Sequence, residues 1–121
     1  MLKFPYQKLL IWQKSRILVK NIYDLTATFP KAEQYGLVAQ MRSAAVSVPS
    51  NIAEGSQKKT NKDFLSFLAI AKGSLAELET QVILSGDLKF ATVEQSKPIL
   101  YLINEIQKML RAFCATLTTT R

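Results

Sequence analysis

Apolar residues recur at helical spacing along four separate segments of this chain. In the segment that follows Thr60, they repeat at intervals of 4, 3, 4, 3 and 4 residues up to Val82. This spacing places the side chains on one face of an α-helix, because 3.6 residues complete one turn. The six positions are Phe64, Leu68, Ala71, Leu75, Leu78 and Val82. The pattern predicts a long helix, the third along the chain, whose apolar face packs against other helices.

The first two helices are predicted from the same kind of pattern. The first is expected from about Lys8 to Phe29, where it ends because Pro30 disfavours the α conformation in the residue before it. The second is expected to begin near residues 31–33. Pro49 lies inside it and predicts a kink, since proline removes one backbone hydrogen bond. Residues 1–7 are expected to form an N-terminal extension.

Capping residues mark the third and fourth helices. Thr60 with Asp63, and Thr92 with Gln95, have the three-residue spacing of a capping box. Gly86–Asp87 is expected to end the third helix, and the final residues 116–121 are expected to fray. Only four glycines and four prolines are present, which leaves little room for the turns of an all-β fold. The sequence predicts an all-α fold: one domain over residues 1–121, an antiparallel up-down-up-down four-helix bundle with a kinked second helix.

Composition limits the setting of the protein. The single cysteine, Cys114, cannot form an internal disulfide, which favours a reducing cytosol. The first thirty residues have no apolar centre typical of a signal peptide, and no uncharged run approaches the length of a membrane span. We therefore expect a cytoplasmic protein with no membrane partner.

Residues for catalysis or metal binding are scarce. The chain has no histidine, so Ser-His chemistry and the Glu-x-x-His pairs of carboxylate-bridged bundles are both excluded. Lys59-Thr60 lacks the preceding glycine of a phosphate-binding loop, and no strand is expected before it. Glu54, Glu77 and Glu79 alone do not make a convincing metal site. The sequence predicts no enzyme activity, no cofactor and no metal.

Two polar strips run along otherwise apolar helices. They predict either a buried hydrogen-bonded network that specifies helix register, or a solvated channel or subunit interface, and the sequence leaves these alternatives open. Gly73 is expected to let the third helix approach the second closely, and Gly55 is suited to a helix C-terminus. The strip on the second helix consists of Gln40, Ser43, Ser47, Asn51 and Glu54, and that on the third helix of Ser74, Glu77 and Gln81.

Sixteen Lys and Arg residues against nine Asp and Glu give a net charge of +7, which favours acidic partners. Candidate phosphate contacts lie at the corner between the second and third helices. The positive end of the helix dipole at the start of the third helix also attracts a phosphate there. No exposed aromatic ladder accompanies the lysines, so we expect salt-sensitive binding of RNA or DNA without base stacking. The alternatives are a surface that only solubilises, or a scaffold that docks an acidic protein and has no nucleic-acid role. The candidates are Lys58, Lys59 and Lys62 at the corner and Lys14, Arg16 and Lys20 on the first helix.

More apolar residues are present than one bundle core can bury. The first helix carries Trp12, Val19 and Tyr23 beside its main face. The third carries four further apolar residues outside its own face: Leu65, Phe67, Ile70 and Leu84. Large exposed apolar patches are rare on monomers. The surplus predicts a homo-oligomer.

Three segments carry a family resemblance: LLIWQKS, IYDLTATFPKAEQYGLVAQMRSAAVSVPSNIAEGSQ and FLSFLAIAKGSLAELETQ. From about Leu9 to Leu88 the chain resembles the 23S ribosomal RNA intervening-sequence proteins, with a looser fit through the fourth helix. A related bundle is the accessory variability determinant of diversity-generating retroelements. The resemblance implies an antiparallel four-helix bundle assembled as a ring-like homopentamer, and the retroelement relative implies a basic surface that engages nucleic acid and a reverse transcriptase. It implies no catalytic residues.

Overall fold

Four long helices account for most of the chain. The computed structural model describes residues 5–119, and within this range it contains no strand. The prediction of an all-α bundle of four helices is therefore confirmed. Short 3₁₀ helices precede the first and second long helices, at Tyr6–Lys8 and Lys31–Glu33. The long helices are α1 (Leu10–Thr26), α2 (Leu37–Ser56), α3 (Asn61–Asp87) and α4 (Val93–Thr119).

Helices that are consecutive along the chain run in opposite directions. Near the start of α2, Arg42 Nε donates a 2.9 Å hydrogen bond to Thr26 Oγ1 in the last turn of α1. The end of α2 meets the start of α3 where Gly55 lies against Phe64. Phe64 in turn lies against Phe113 near the end of α4, with ring centroids 5.5 Å apart. The three connections therefore join neighbouring helices at alternating ends of the bundle.

The apolar faces that the sequence predicts form the core. All six predicted positions of α3 are buried, and Leu68, Leu75 and Leu78 are fully inaccessible. Ser15 of α1 is a polar residue that is also fully buried. Its hydroxyl donates a 2.6 Å hydrogen bond to the Ile11 carbonyl, which satisfies it inside the core. The spacing in the sequence thus identifies the core correctly.

Both predicted capping residues begin helices. Thr60 Oγ1 accepts the Asp63 backbone N–H at 3.1 Å and starts α3. At the start of α4, Thr92 Oγ1 accepts the Gln95 N–H at 3.1 Å, and Gln95 Oε1 accepts the Thr92 N–H at 2.8 Å. The second pair is a complete capping box, in which two donors of the first turn are satisfied reciprocally.

Some predicted boundaries are wrong. The first helix ends at Thr26 rather than Phe29, which nevertheless reaches the core and is buried. The second begins at Leu37, since Gly36 before it has a non-helical backbone (φ −113°, ψ −107°). At the other end of the chain, α4 continues to Thr119 where fraying was expected. Residues 1–4 of the predicted extension and residues 120–121 of the predicted tail lie outside the described residues.

The second helix continues across Pro49, and the kink predicted there stays a prediction. Close approach to α3 occurs at Gly55, where an added Cβ would lie 2.7 Å from Phe67 Cβ and 2.9 Å from Phe64 Cδ1. The expectation that Gly73 provides this approach is wrong, because a Cβ at Gly73 would meet no atom within 4 Å. Gly73 lies on the exposed side of α3.

The end of α3 is formed without a glycine in the left-handed region. Lys89 adopts a φ of 63°, just after the helix ends at Asp87. Its N–H donates to the Gly86 carbonyl at 3.0 Å, and the Phe90 N–H donates to the Ser85 carbonyl at 2.9 Å. These two bonds form a Schellman motif, which satisfies carbonyls at the helix terminus.

We expect Gly55→Ala to lower the free energy of unfolding by about 1–3 kcal/mol, because its methyl group overlaps two phenylalanines. The matched control is Gly73→Ala, also in a helix but facing open space. This control should raise stability by up to about 1 kcal/mol through helix propensity. Chemical denaturation at one fixed protein concentration measures both. Equal effects of the two substitutions would contradict close packing at Gly55.

Candidate nucleic-acid interface

Three of the predicted basic residues lie together at the corner between α2 and α3. Lys58 and Lys59 belong to the connection that follows Ser56, and Lys62 lies in the first turn of α3. All three are exposed. The unpaired N–H groups at a helix start give that end a partial positive charge, which adds to that of the lysines. We call Lys58, Lys59 and Lys62 the lysine corner.

The lysine corner keeps its charge available. Between residues 5 and 119, the salt bridges join Lys14 to Glu105 and Lys20 to Asp24, so the corner takes part in none there. Lys58 Nζ lies 5.0 Å from the centroid of the Phe67 ring, a cation–π contact that orients the ammonium group without neutralising it. Asp63 is the acidic residue in the first turn of α3. The corner therefore carries a local excess of positive charge.

The basic residues of α1 are differently placed. Lys14 Nζ lies 3.2 Å from Glu105 Oε2 of α4, and Lys20 Nζ lies 2.9 Å from Asp24 Oδ2 one turn along α1. Both are therefore partly neutralised, although an exposed ion pair such as that of Lys20 with Asp24 contributes little to stability. Arg16 is exposed, with its guanidinium carbon 5.1 Å from the Trp12 ring centroid. Lys14 thus faces α4, whereas Arg16 borders α2.

Three residues of the polar strips form a network between α2 and α3. Ser74 Oγ donates a 2.8 Å hydrogen bond to Ser47 Oγ. Asn51 Nδ2 donates to the same Ser47 oxygen at 2.9 Å and to the Ser47 carbonyl at 2.8 Å. The network is partly buried and links the two helices across their interface.

The remaining strip residues lie outside this network. Gln81 is 5% exposed, and its Nε2 donates a long 3.4 Å hydrogen bond to Glu77 Oε2. In the described part of the chain, Gln81 Oε1 has no hydrogen-bond partner. The side chains of Gln40, Ser43 and Glu54 are exposed on α2. The strips therefore combine an internal network with an exposed polar surface.

A groove between α1 and α2 was not predicted from the sequence. It has a volume of about 400 Å³ and begins where Tyr6 and Trp12 meet edge to face, with ring centroids 5.3 Å apart. Tyr6 precedes α1, so helical spacing does not reveal that it lies beside Trp12. The one signal of this site in the sequence is the four-residue spacing of Trp12 and Arg16, which places the two side chains one helical turn apart. Its other lining includes Arg16 from α1 and Val46, Pro49 and Ala53 from α2.

Two kinds of feature are absent from the described residues. No group of three or more His, Cys, Asp and Glu side chains between residues 5 and 119 is arranged to hold a metal ion. In the same range, no helix combines the length and the apolar character needed to cross a membrane.

Comparison with known proteins identifies the family. A model of the family described as "23S rRNA-intervening sequence protein" matches residues 7–112. The chain belongs to this family. The resemblance read from the sequence is thereby confirmed, and the family description names no catalytic activity. No curated protein matches the chain.

A solved structure shows the same fold. It is a protein of unknown function from the S23 ribosomal protein family of Bacteroides thetaiotaomicron, with a TM-score of 0.78 and 24% sequence identity. The similarity covers 87% of this chain and 98% of that one. At this identity the likeness establishes the fold of the bundle, and nothing about ligands is carried over from it.

We expect the Ser47–Ser74 hydrogen bond to be measurable as a coupling between the two hydroxyls. Ser47→Ala and Ser74→Ala should each lower the free energy of unfolding by about 1 kcal/mol. The double variant should cost less than the sum, since the second change removes a bond already lost. Ser66→Ala is the control, because this exposed hydroxyl donates to the Lys62 carbonyl of its own helix and not to α2. Strict additivity of the two changes would contradict a direct contact.

Proposed function

We propose that this member of the 23S rRNA-intervening sequence protein family is a non-enzymatic, homo-oligomeric bundle that binds RNA or other nucleic acid electrostatically. We further propose that the oligomer is a pentamer and that it acts in the cytoplasm. The observation that carries the binding proposal is the lysine corner, in which three exposed ammonium groups gather at the start of α3 without a salt bridge between residues 5 and 119.

Phosphate binding suits this arrangement physically. Each lysine that neutralises a phosphate releases counterions from the nucleic acid, and this release favours binding at low salt. A single corner offers only three such contacts, which is few for tight binding. An oligomer repeats the corner once per subunit, so a long nucleic acid that reaches several corners gains affinity through effective concentration.

Self-association is supported by apolar side chains that the single chain leaves uncovered. Tyr35 is 93% exposed, Tyr101 79% and Val93 74%, and Leu10 and Ile17 of α1 are each 54% exposed. Single exposed apolar residues are ordinary on protein surfaces, but a surplus distributed over several helices favours burial between subunits. This surplus is the physical argument for an oligomer of the bundle.

The lysine corner predicts a specific loss of affinity and salt dependence. Replacing Lys58, Lys59 and Lys62 together by Gln should weaken RNA binding and reduce the slope of log Kd against log salt by about 2–3. In the control variant, Gln replaces three other exposed lysines at the opposite end of the bundle, which are Lys31, Lys89 and Lys97. Both variants lower the formal net charge of +7 by three, so only position differs.

Filter binding or fluorescence anisotropy across a salt series distinguishes the two variants. Equal losses in both would mean that net charge alone attracts RNA, which contradicts an assigned corner. If the unaltered protein retains no RNA at low salt but binds an acidic polypeptide such as polyglutamate, the protein-docking scaffold replaces the nucleic-acid function.

We expect light scattering on a sizing column to give a mass near five times 13.6 kDa. Burial of the exposed apolar side chains between subunits is the physical reason for self-association, and the number five is what the family resemblance implies. A mass at another multiple would keep self-association and contradict the pentamer. A monomer across the accessible concentration range would contradict the oligomer altogether. Absorbance at 260 and 280 nm on the same column reports whether nucleic acid is retained.

A further inference from the structure

Aromatic and cationic side chains come together in the groove between α1 and α2. Tyr6 and Trp12 are half-buried, so each ring still presents surface to solvent. The Arg16 guanidinium lies over the Trp12 ring and is itself exposed. Apolar side chains of α2, among them Val46 and Ala53, line the groove as well. The aromatic rings suit a flat apolar group, and the guanidinium suits a negative charge close to that group.

We propose that this groove stacks unpaired bases of a single-stranded nucleic acid. Bases stack on aromatic rings and on arginine guanidinium groups, and this mode of binding tolerates different sequences because every base has a π-face. Among residues 5–119, Arg16 is the only charged residue that lines the groove, and no acidic side chain of this range lines it. An inorganic anion would gain nothing from the two rings, and a purely apolar ligand would gain nothing from the guanidinium.

The position of the groove connects it with the lysine corner, so the inference rests on the proposed function. Trp12 lies in the first turn of α1, and Ala53 lies in the last turn of α2, just before Lys58. The groove therefore opens at the end of the bundle where the lysine corner lies. A strand that leaves the groove at this end therefore passes onto the same end of the bundle as the corner lysines.

A second arginine extends the same surface along α1. Arg42 lies over the Tyr23 ring, with its guanidinium carbon 4.4 Å from the ring centroid, and Arg42 Nε is held by Thr26 Oγ1 at 2.9 Å. Tyr23 is eleven residues beyond Trp12 on α1, a rise of about 16 Å along the helix. Two arginine-aromatic pairs thus lie on the α1–α2 side of the bundle. The sequence alone predicts nucleic-acid binding without base stacking, so this surface differs from that expectation.

The test uses the only tryptophan of the chain as its probe. A short oligouridylate should quench the fluorescence of Trp12 at saturation, because stacked bases contact its ring. Inorganic polyphosphate, which has the charge but no bases, should bind the protein without quenching. Quenching by oligouridylate alone supports base stacking in the groove, and equal quenching by both ligands overturns it.

The matched variants are Arg16→Lys and Arg111→Lys. Arg16→Lys keeps the charge and removes the planar guanidinium, so the affinity for oligouridylate should fall about fivefold or more while that for polyphosphate stays the same. Arg111, an exposed arginine of α4, should show no change with either ligand. The variant in which Gln replaces Lys58, Lys59 and Lys62 should bind both ligands more weakly. Its Trp12 fluorescence should still be quenched by saturating oligouridylate.

Failure of the inference and failure of the proposed function give different results. If both ligands bind in a salt-dependent way, without quenching and without an effect of Arg16→Lys, the electrostatic function stands and the stacking groove is overturned. If neither ligand binds, both proposals fall. If Trp12 emission shifts with protein concentration and ignores oligouridylate, a second copy of the chain covers the groove and the inference is again overturned.

Discussion

The helices α2 and α3 approach each other closely because Gly55 presents no side chain to Phe64 and Phe67. An added Cβ would lie within 3 Å of both phenylalanines, so the spacing of the two helices at this end depends on that absence. The same approach sets the short connection that carries Lys58 and Lys59. Gly55 therefore affects both the packing of α2 against α3 and the position of the lysines on the surface.

The polar contact further along the same interface restricts the register of the two helices. Ser47 meets Ser74 in the observed register. A slide by one helical turn would place Ser47 opposite Ile70 or Leu78, so the Ser74 hydroxyl would lose its acceptor on α2. Leaving that hydroxyl unsatisfied in this partly buried interface costs up to about 3 kcal/mol, against about 1 kcal/mol that the bond itself contributes to stability. The two serines and Asn51 therefore contribute to the fold mainly by destabilising other registers of α2 and α3, and less by stabilising the observed one.

The features that sequence predicts well are those determined within a few residues. The Thr92 capping box and the buried face of α3 depend on local spacing, and both occur as predicted. The role of Gly73 was predicted wrongly because close approach depends on which side of a helix faces its neighbour, and Gly55 faces it instead. The groove could not be predicted, since Tyr6 and Ala53 come from elements far apart in sequence.

The distribution of charge, rather than its total, distinguishes the lysine corner from a surface that only solubilises. A surface that only solubilises is best served by interspersed charges of both signs. The salt bridges of Lys14 with Glu105 and of Lys20 with Asp24 have that character. The corner instead gathers three lysines within five residues at a helix start, where the dipole opposes positive charge. This mutual repulsion disfavours the folded corner, and bound phosphate would relieve it.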